Sequence, residues 1–279
     1  MARCYESIPM PSLSFTKMNG AGNDFVMLDN RSGKISLSKA EIAHVCDRHG
    51  GVGGDGLLLV EPSDAPGADY RMRYYNSDGG EAEMCGNGAR CFARFIQKIG
   101  GCHDKVSFQT LAGLIHATFD GPQVKVNLSK PQGLRLREKV MLSIGETEVH
   151  SLNTGVPHAV LFLDDADKAM VGSLGSEIRY HKHFAPRGTN VNFVQRLGGN
   201  AIRVRTYERG VEGETLACGT GVTASAIIAN ALFDLTSPVT VKVQGGDILE
   251  VSFRRDGDGF REIFLKGPAD ITFEGTLTV

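Results

Sequence analysis

Two short stretches, MCGNGARC at 84–91 and ACGTGVTA at 217–224, each place a cysteine before a glycine-rich turn that reads as the mouth of a helix. A pattern written twice, more than a hundred residues apart, constrains the fold more than any other feature of the chain. Each copy follows several strand-like runs, so the sequence reads as two related halves, each holding strands, then a Cys-Gly-x-Gly turn, then a helix. Coincidence is the competing reading, since glycine-rich turns before helices are common. With 279 residues and 41% hydrophobic content the chain can bury a sizeable core, and its length favours two domains of ordinary size.

The strand-like runs dominate. SFTKMNG (14–20) and FVMLD (25–29) flank a turn, and GLLLVEP (56–62), YRMRYYN (70–76), KVSFQTLAG (105–113), LIHATFD (114–120) and QVKVNLS (123–129) follow. The second half repeats the texture with HAVLFLD (158–164), NVNFVQ (190–195), AIRVRTYE (201–208), VTVKV (239–243), ILEVSF (248–253) and REIFLKG (261–267). Many alternate with period two, which fits sheets with one buried face. Three helices are predicted. One runs from Ser38 to about 48, with Ser38 and Glu41 spaced as a capping box. The others start at the cysteine turns, over 87–99 and 220–233, and the latter carries almost no charge, as a helix buried on all sides would. The change between halves falls near 130–136.

The formal net charge is −2 and no long basic run occurs, so no electrostatic footprint for nucleic acid or an anionic membrane is present. The first residues lack a continuous apolar stretch of signal-peptide type, and no run approaches membrane-spanning length, so the cytoplasm is the expected compartment. Six cysteines occur without a C-x-x-C pair, which disfavours a zinc knuckle or a thioredoxin-like site and favours free thiols.

A cysteine at a helix N-terminus faces unpaired backbone N–H groups and the positive end of the dipole, so its pKa is expected to fall toward neutrality. The glycines after it let a ligand approach the backbone closely. Two such cysteines facing one cleft would form an acid–base pair. Inverting a stereocentre needs a base on one face of the carbon and an acid on the other, and thiol/thiolate pairs run this in both directions. The helix N-termini would supply oriented donors to the enediolate that develops beside a carboxylate. Two thiols in a cleft could instead form a disulfide, so a redox enzyme is the physical competitor.

At this point the sequence resembles the diaminopimelate epimerase family from about Leu13 to the C-terminus. The resemblance rests on NGAGNDF (19–25), YYNSDGGEAEMCGNGARC (74–91), NTGVPH (153–158), GTNVNF (188–193) and YERGVEGETLACGTG (207–221). It implies an α/β (α+β) fold of two pseudo-symmetric domains, 1–131 plus 268–279 and 132–267, each a mostly antiparallel, barrel-like sheet wrapped around a central helix. It implies cofactor-independent interconversion of L,L- and meso-diaminopimelate, with no metal, in a homodimer. Cys85 and Cys218 take the catalytic positions, Cys85 toward the α-proton of the L,L substrate and Cys218 toward that of the meso form. Gly86, Asn87, Gly219 and Thr220 match donors to substrate carboxylates. Asn23, Asn76 and Asn190 match asparagines that hold the two amino-acid ends, Glu208 an ammonium acceptor that also tunes the thiols, and Arg209 a carboxylate clamp. His158 matches a histidine that tunes thiol ionisation. Each has a plain structural alternative: Asn23 in a turn, Asn190 at a strand end, Glu208–Arg209 as a solvated pair, and His158 as a packed core residue.

Two positions depart from the family's common form. Val156 stands where an asparagine often precedes Pro-His, and Gly56 where a glutamine often follows the G-x-G-x-D run, which puts the distal contacts in question. Related racemases acting on proline or hydroxyproline, a pyridoxal-phosphate racemase using a lysine, and a binding protein for dicarboxylic amino acids are the other readings.

Overall fold

The computed structural model describes residues 12–257 and 259–278. The strands are β1 (Ser12–Gly20), β2 (Asn23–Asp29), β3 (Gly56–Pro62), β4 (Tyr70–Asn76), β5 (Glu81–Ala82), β6 (Lys105–Thr110), β7 (Gly113–Asp120), β8 (Gln123–Asn127) and β9 (Gln132–Leu142). They continue with β10 (Gly145–Asn153), β11 (Pro157–Phe162), β12 (Asn190–Gly198), β13 (Ala201–Glu208), β14 (Gly213–Thr215), β15 (Val239–Lys242), β16 (Ile248–Asp256), β17 (Gly259–Pro268) and β18 (Asp270–Thr278). Among the described residues four α-helices interrupt them, beside two short 3-10 turns: α1 (Lys39–Cys46), α2 (Gly86–Lys98), α3 (Val171–Arg179) and α4 (Gly219–Phe233). The fold is α+β, with a mixed sheet and few helices.

The duplication read from the two cysteine turns is written into the strand pairing. β1–β2, β3–β4, β4–β5, β6–β7 and β7–β8 are antiparallel, whereas β2–β3 and β4–β6 are parallel. The same sequence recurs as β10–β11, β12–β13, β13–β14, β15–β16 and β16–β17 antiparallel, with β11–β12 and β13–β15 parallel. Parallel neighbours need a crossover, and each crossover here contains a helix. α1 and α3 serve the first parallel pair of each half, and α2 and α4 the second. β8 pairs with β17 and so joins the halves, β9 pairs with β10, and β18 returns to pair with β1.

These pairings form one continuous sheet with β9 and β18 at its two ends. The expected barrel-like wrap of each half is therefore corrected: no closed barrel occurs among the described residues. The parallel pairs β4–β6 and β13–β15 share only short ladders.

The helix α3 is a further correction to the three predicted from sequence. Its two glycines lower intrinsic helix preference, yet Val171, Leu174 and Ile178 recur on one buried face. Gly175 permits the close approach, because an added Cβ would lie 2.5 Å from Tyr207 Cβ. α3 and α1 each cover the outer face of their half. Ala159, Leu161, Val191 and Phe193 pack under α3, while Val26, Leu28, Leu57 and Leu59 pack under α1. The alternate residues Phe25, Met27, Leu58 and Val60, with Val160 and Val194, join the large core built on α2 and α4. Burial on both faces explains why FVMLD and GLLLV are continuously apolar instead of alternating. The uncharged run predicted as a buried helix is one, since α4 is buried from Gly221 through Ala229.

Candidate active site

Each cysteine turn ends as a helix cap. Cys85 is the N-cap of α2 in extended backbone conformation, and its Sγ accepts from the Gly88 N–H at 3.5 Å. Cys218 is the N-cap of α4, also extended, but its Sγ accepts no backbone cap bond. Its neighbour is the Thr220 hydroxyl, with Oγ1 at 3.5 Å. The two helix starts face one another closely: a Cβ added to Gly219 would lie 3.8 Å from Gly86 Cα and 3.4 Å from Asn87 Oδ1. The tight neighbour of such a Cβ at Gly219 is the Leu265 side chain, with Cδ2 at 2.9 Å.

Between them lies a cleft of about 440 Å³ whose lining includes both thiols. Asn23, Asn76, Gly86, Asn87, Asn190, Glu208, Arg209, Gly219 and Thr220 line it as well. Every residue singled out from the sequence is thus gathered at one place except His158. His158 is buried, and lies behind Thr220 with Nε2 3.0 Å from Oγ1. A second hollow shares Asn23, Tyr74, Asn76, Cys85, Glu208 and Arg209 and continues toward Arg48 and Asp55.

Hydrogen bonds hold the polar groups in set orientations. Arg90, fully buried on α2, donates to the carbonyls of Pro268, Gly86 and Gly20 and to Asn87 Oδ1 at 3.0 Å. Asn87 then turns its Nδ2 toward Asn23 Oδ1 at 2.6 Å and Ala217 O at 3.4 Å. Asn23 in turn donates to Asp55 Oδ2 at 2.9 Å. Asn190 accepts from the Arg209 N–H at 2.8 Å and donates to Pro157 O at 3.1 Å. Glu208 accepts from the Thr215 hydroxyl at 3.0 Å.

The thiols do not show the lowered pKa expected of helix-start cysteines. Burial pushes both up, the Glu208 carboxylate adds to this, and the donors at Gly88 and Thr220 only partly offset it. Burial outweighs the dipole here, because desolvation penalises the thiolate directly. Burial also raises Glu208, with Asp55 contributing. Burial lowers His158 to about 3, and the Arg209 cation adds to it, so this imidazole is neutral.

Sequence reasoning missed Tyr74 and Asn192. A Cβ added at Gly56 would lie 2.7 Å from Tyr74 Cε2, so the Tyr74 ring occupies the room that a side chain at 56 would need. Tyr74 lines the cleft, so the polar group absent at Gly56 has a phenol in its neighbourhood; Val156 also lines the cleft. Asn192 lies two residues beyond Asn190 on the same face of β12, a spacing visible in GTNVNF. Cys46, Cys85, Cys91, Cys102 and Cys218 are free, while Cys4 and the tail at 1–11 lie outside the described residues.

The family model described as diaminopimelate epimerase matches residues 15–133 and 150–272. A diaminopimelate epimerase of Aquifex aeolicus is 45% identical over 279 aligned residues, covering 95% of this chain and 98% of the relative. The chain belongs to the diaminopimelate epimerase family. Membership makes it an isomerase, and the two matched segments of the epimerase family each contain one of the cleft thiols. The fold reaches further than the family. A Bacillus anthracis phenazine biosynthesis protein of the PhzF family superposes with a TM-score of 0.74 at 14% identity, covering 97% of this chain and 100% of its own. A hydroxyproline epimerase from Agrobacterium vitis superposes with a TM-score of 0.71 at 15% identity, covering 96% of this chain and 93% of its own. Among the described residues no helix is long and apolar enough to cross a membrane.

Proposed function

We propose that this chain interconverts L,L- and meso-diaminopimelate by two-base proton transfer at one α-carbon, without a metal or organic cofactor. The observation that carries the reading is a pair of thiols capping two facing helices in a single cleft. Cys85 as thiolate removes the α-proton of the L,L substrate while the Cys218 thiol protonates the opposite face; the reverse direction exchanges the roles. The α-carboxylate lies over the N-termini of α2 and α4, where Gly86, Asn87, Gly219 and Thr220 present donors to the enediolate as it forms. Bringing a substrate ammonium beside these buried thiols favours the thiolate that burial alone disfavours.

The two amino-acid ends are held by Asn23, Asn76 and Asn190, with Arg209 clamping a carboxylate and Glu208 taking an ammonium. A proline-type racemase handles no second amino-acid end, and a binding protein has no use for two opposed thiols. Two domains, 1–131 plus 268–279 and 132–267, are supported by the repeated pairing order and by the return of β18 to β1. We place the enzyme in the cytoplasm as a homodimer, an arrangement that sedimentation velocity checks. The reaction itself is tested in deuterated water with L,L-diaminopimelate. Deuterium should enter one α-carbon as the meso form accumulates, in protein stripped of metals and free of absorbance beyond the protein band. Inversion that stops on chelation would overturn the proposal.

A further inference from the structure

The geometry points to Asn192 as a positioning residue that fixes the His158 tautomer so that the Thr220 hydroxyl donates its hydrogen to Cys218, an inference that rests on the two-thiol reading above. Asn192 is fully buried and every polar atom of its amide is used. Its Oδ1 accepts from Thr206 Oγ1 at 3.0 Å. Its Nδ2 donates to Ala159 O at 3.0 Å and lies 3.2 Å from His158 Nδ1. A backbone carbonyl only accepts, so the amide cannot be turned over: the NH₂ must face Ala159, and therefore also His158. His158 Nδ1 is then bare. The ring is neutral, so its one proton sits on Nε2 and points at Thr220 Oγ1, 3.0 Å away. Thr220 Oγ1 accepts that hydrogen bond, which leaves its own hydrogen to donate to the sulfur 3.5 Å away whenever Cys218 is a thiolate, a form with no hydrogen of its own to give. The Ala159 carbonyl fixes the amide, and with a neutral ring the amide fixes the His158 tautomer.

The other half of the molecule acts as an internal control. The first parallel pair matches Phe25 to Gly56 in one half and His158 to Asn190 in the other. Two residues further along, Leu58 and Asn192 therefore hold equivalent positions. The helices agree: a Cβ on Gly88 would meet Phe25 Cζ at 3.5 Å and Leu58 Cδ1 at 3.6 Å, whereas one on Gly221 would overlap Asn192 Oδ1 and meet His158 Cε1 at 3.3 Å. The same station is built from Phe and Leu behind Cys85, and from His and Asn behind Cys218. The fold therefore does not require the polar pair. What differs is the added hydroxyl: backbone N–H groups face both sulfurs, and Cys218 alone also has the Thr220 hydroxyl beside it.

The charged and titratable groups facing this chain are Glu208 from β13, which opposes the Cys218 thiolate, the Cys85 thiol from α2, and Arg209, which opposes protonation of His158. Nitrogen-15 NMR of the histidine rings at neutral pH, with His158 assigned by its loss in His158→Phe, should show a bare Nδ1 and a protonated Nε2. In Asn192→Leu, which imports the first half's residue, that preference should be lost. Iodoacetamide labelling, read peptide by peptide across the alkaline range, should then slow about tenfold at Cys218 and stay unchanged at Cys85. Thr220→Val should give the same slowing and Thr220→Ser should restore the rate, so the test survives if Asn192→Leu does not fold. A wild-type ring protonated on Nδ1, or unchanged Cys218 labelling in both Asn192→Leu and Thr220→Val, overturns the inference. Inversion persisting in Cys218→Ala would instead overturn the two-thiol reading, and leaves the NMR result standing.

Discussion

At Cys85 and Cys218 the helix N-terminus and the burial of the sulfur pull in opposite directions, and burial wins. Both thiols are protonated at neutral pH, and the thiolate fraction grows about tenfold for each pH unit below the pKa. The inversion rate should accordingly rise with pH through the neutral and mildly alkaline range, as a coupled assay over pH would show. Cys85→Ala and Cys218→Ala should each abolish inversion by at least about a thousandfold while circular dichroism stays that of the wild type. His158 is shifted the other way, downward, and its pH signature lies in stability. Its folded pKa of about 3 lies below the ordinary 6.5, so the folded state binds its proton less readily than the unfolded chain. The stability from keeping it neutral is present above 6.5 and is lost as pH falls from 6.5 toward about 3. Denaturant titrations at neutral pH and at about pH 5 should show a steeper acid loss for wild type than for His158→Phe.

Among the elements, α3 and α4 are set by their glycines as much as by their apolar residues. Gly221 turns its backbone toward Asn192 and Gly175 toward Tyr207, and neither leaves room for a methyl group. Gly175→Ala should destabilise the fold by about 1–3 kcal/mol through overpacking of α3, measured by urea denaturation. Phe92 is fully buried on α2, and its ring stacks at a tilt 4.7 Å from that of Phe108. Phe92→Ala should cost about 3–5 kcal/mol by leaving a cavity between α2 and β6. The helix α3 was legible in principle. Two parallel strands, β11 and β12, need a covered crossover, and Val171, Leu174 and Ile178 have helical spacing. Its glycines and short length masked the signal.

Across the whole molecule, one sheet runs through both halves and hands the chain from one to the other. β8–β17 is the shared seam, and the C-terminal strand β18 closes against β1 from Ser12–Thr278 to Asn19–Asp270. Phe273 of β18 packs edge-on against Phe15 with ring centroids 5.8 Å apart. Ending the chain after Pro268 should therefore strip β1 of a neighbour and expose Phe15. Thermal unfolding should show a lowered midpoint, with the loss centred on β1 in hydrogen exchange, while β11–β13 keep their protection. Uniform loss of protection would instead mean that the two halves unfold as one unit.

The doubled Cys-Gly-x-Gly turn by itself determined the two-half plan, the N-terminal ends of α2 and α4 and the pair of thiols. Helix starts and buried helices are dictated by local spacing and by the absence of charge. The asparagines, Glu208 and Arg209 were legible from the motifs around them, and they line the cleft together. The tertiary structure decided what depends on contact between distant segments. Asn192 looks like any strand residue until β11, β12 and α4 bring it against His158, and Tyr74 gains its place only because Gly56 on the neighbouring strand leaves the room. The ionisation of the thiols belongs to the same class. A helix terminus is a local property that the sequence displays, whereas the removal of water is a property of everything that packs around it, and here it outweighs the dipole.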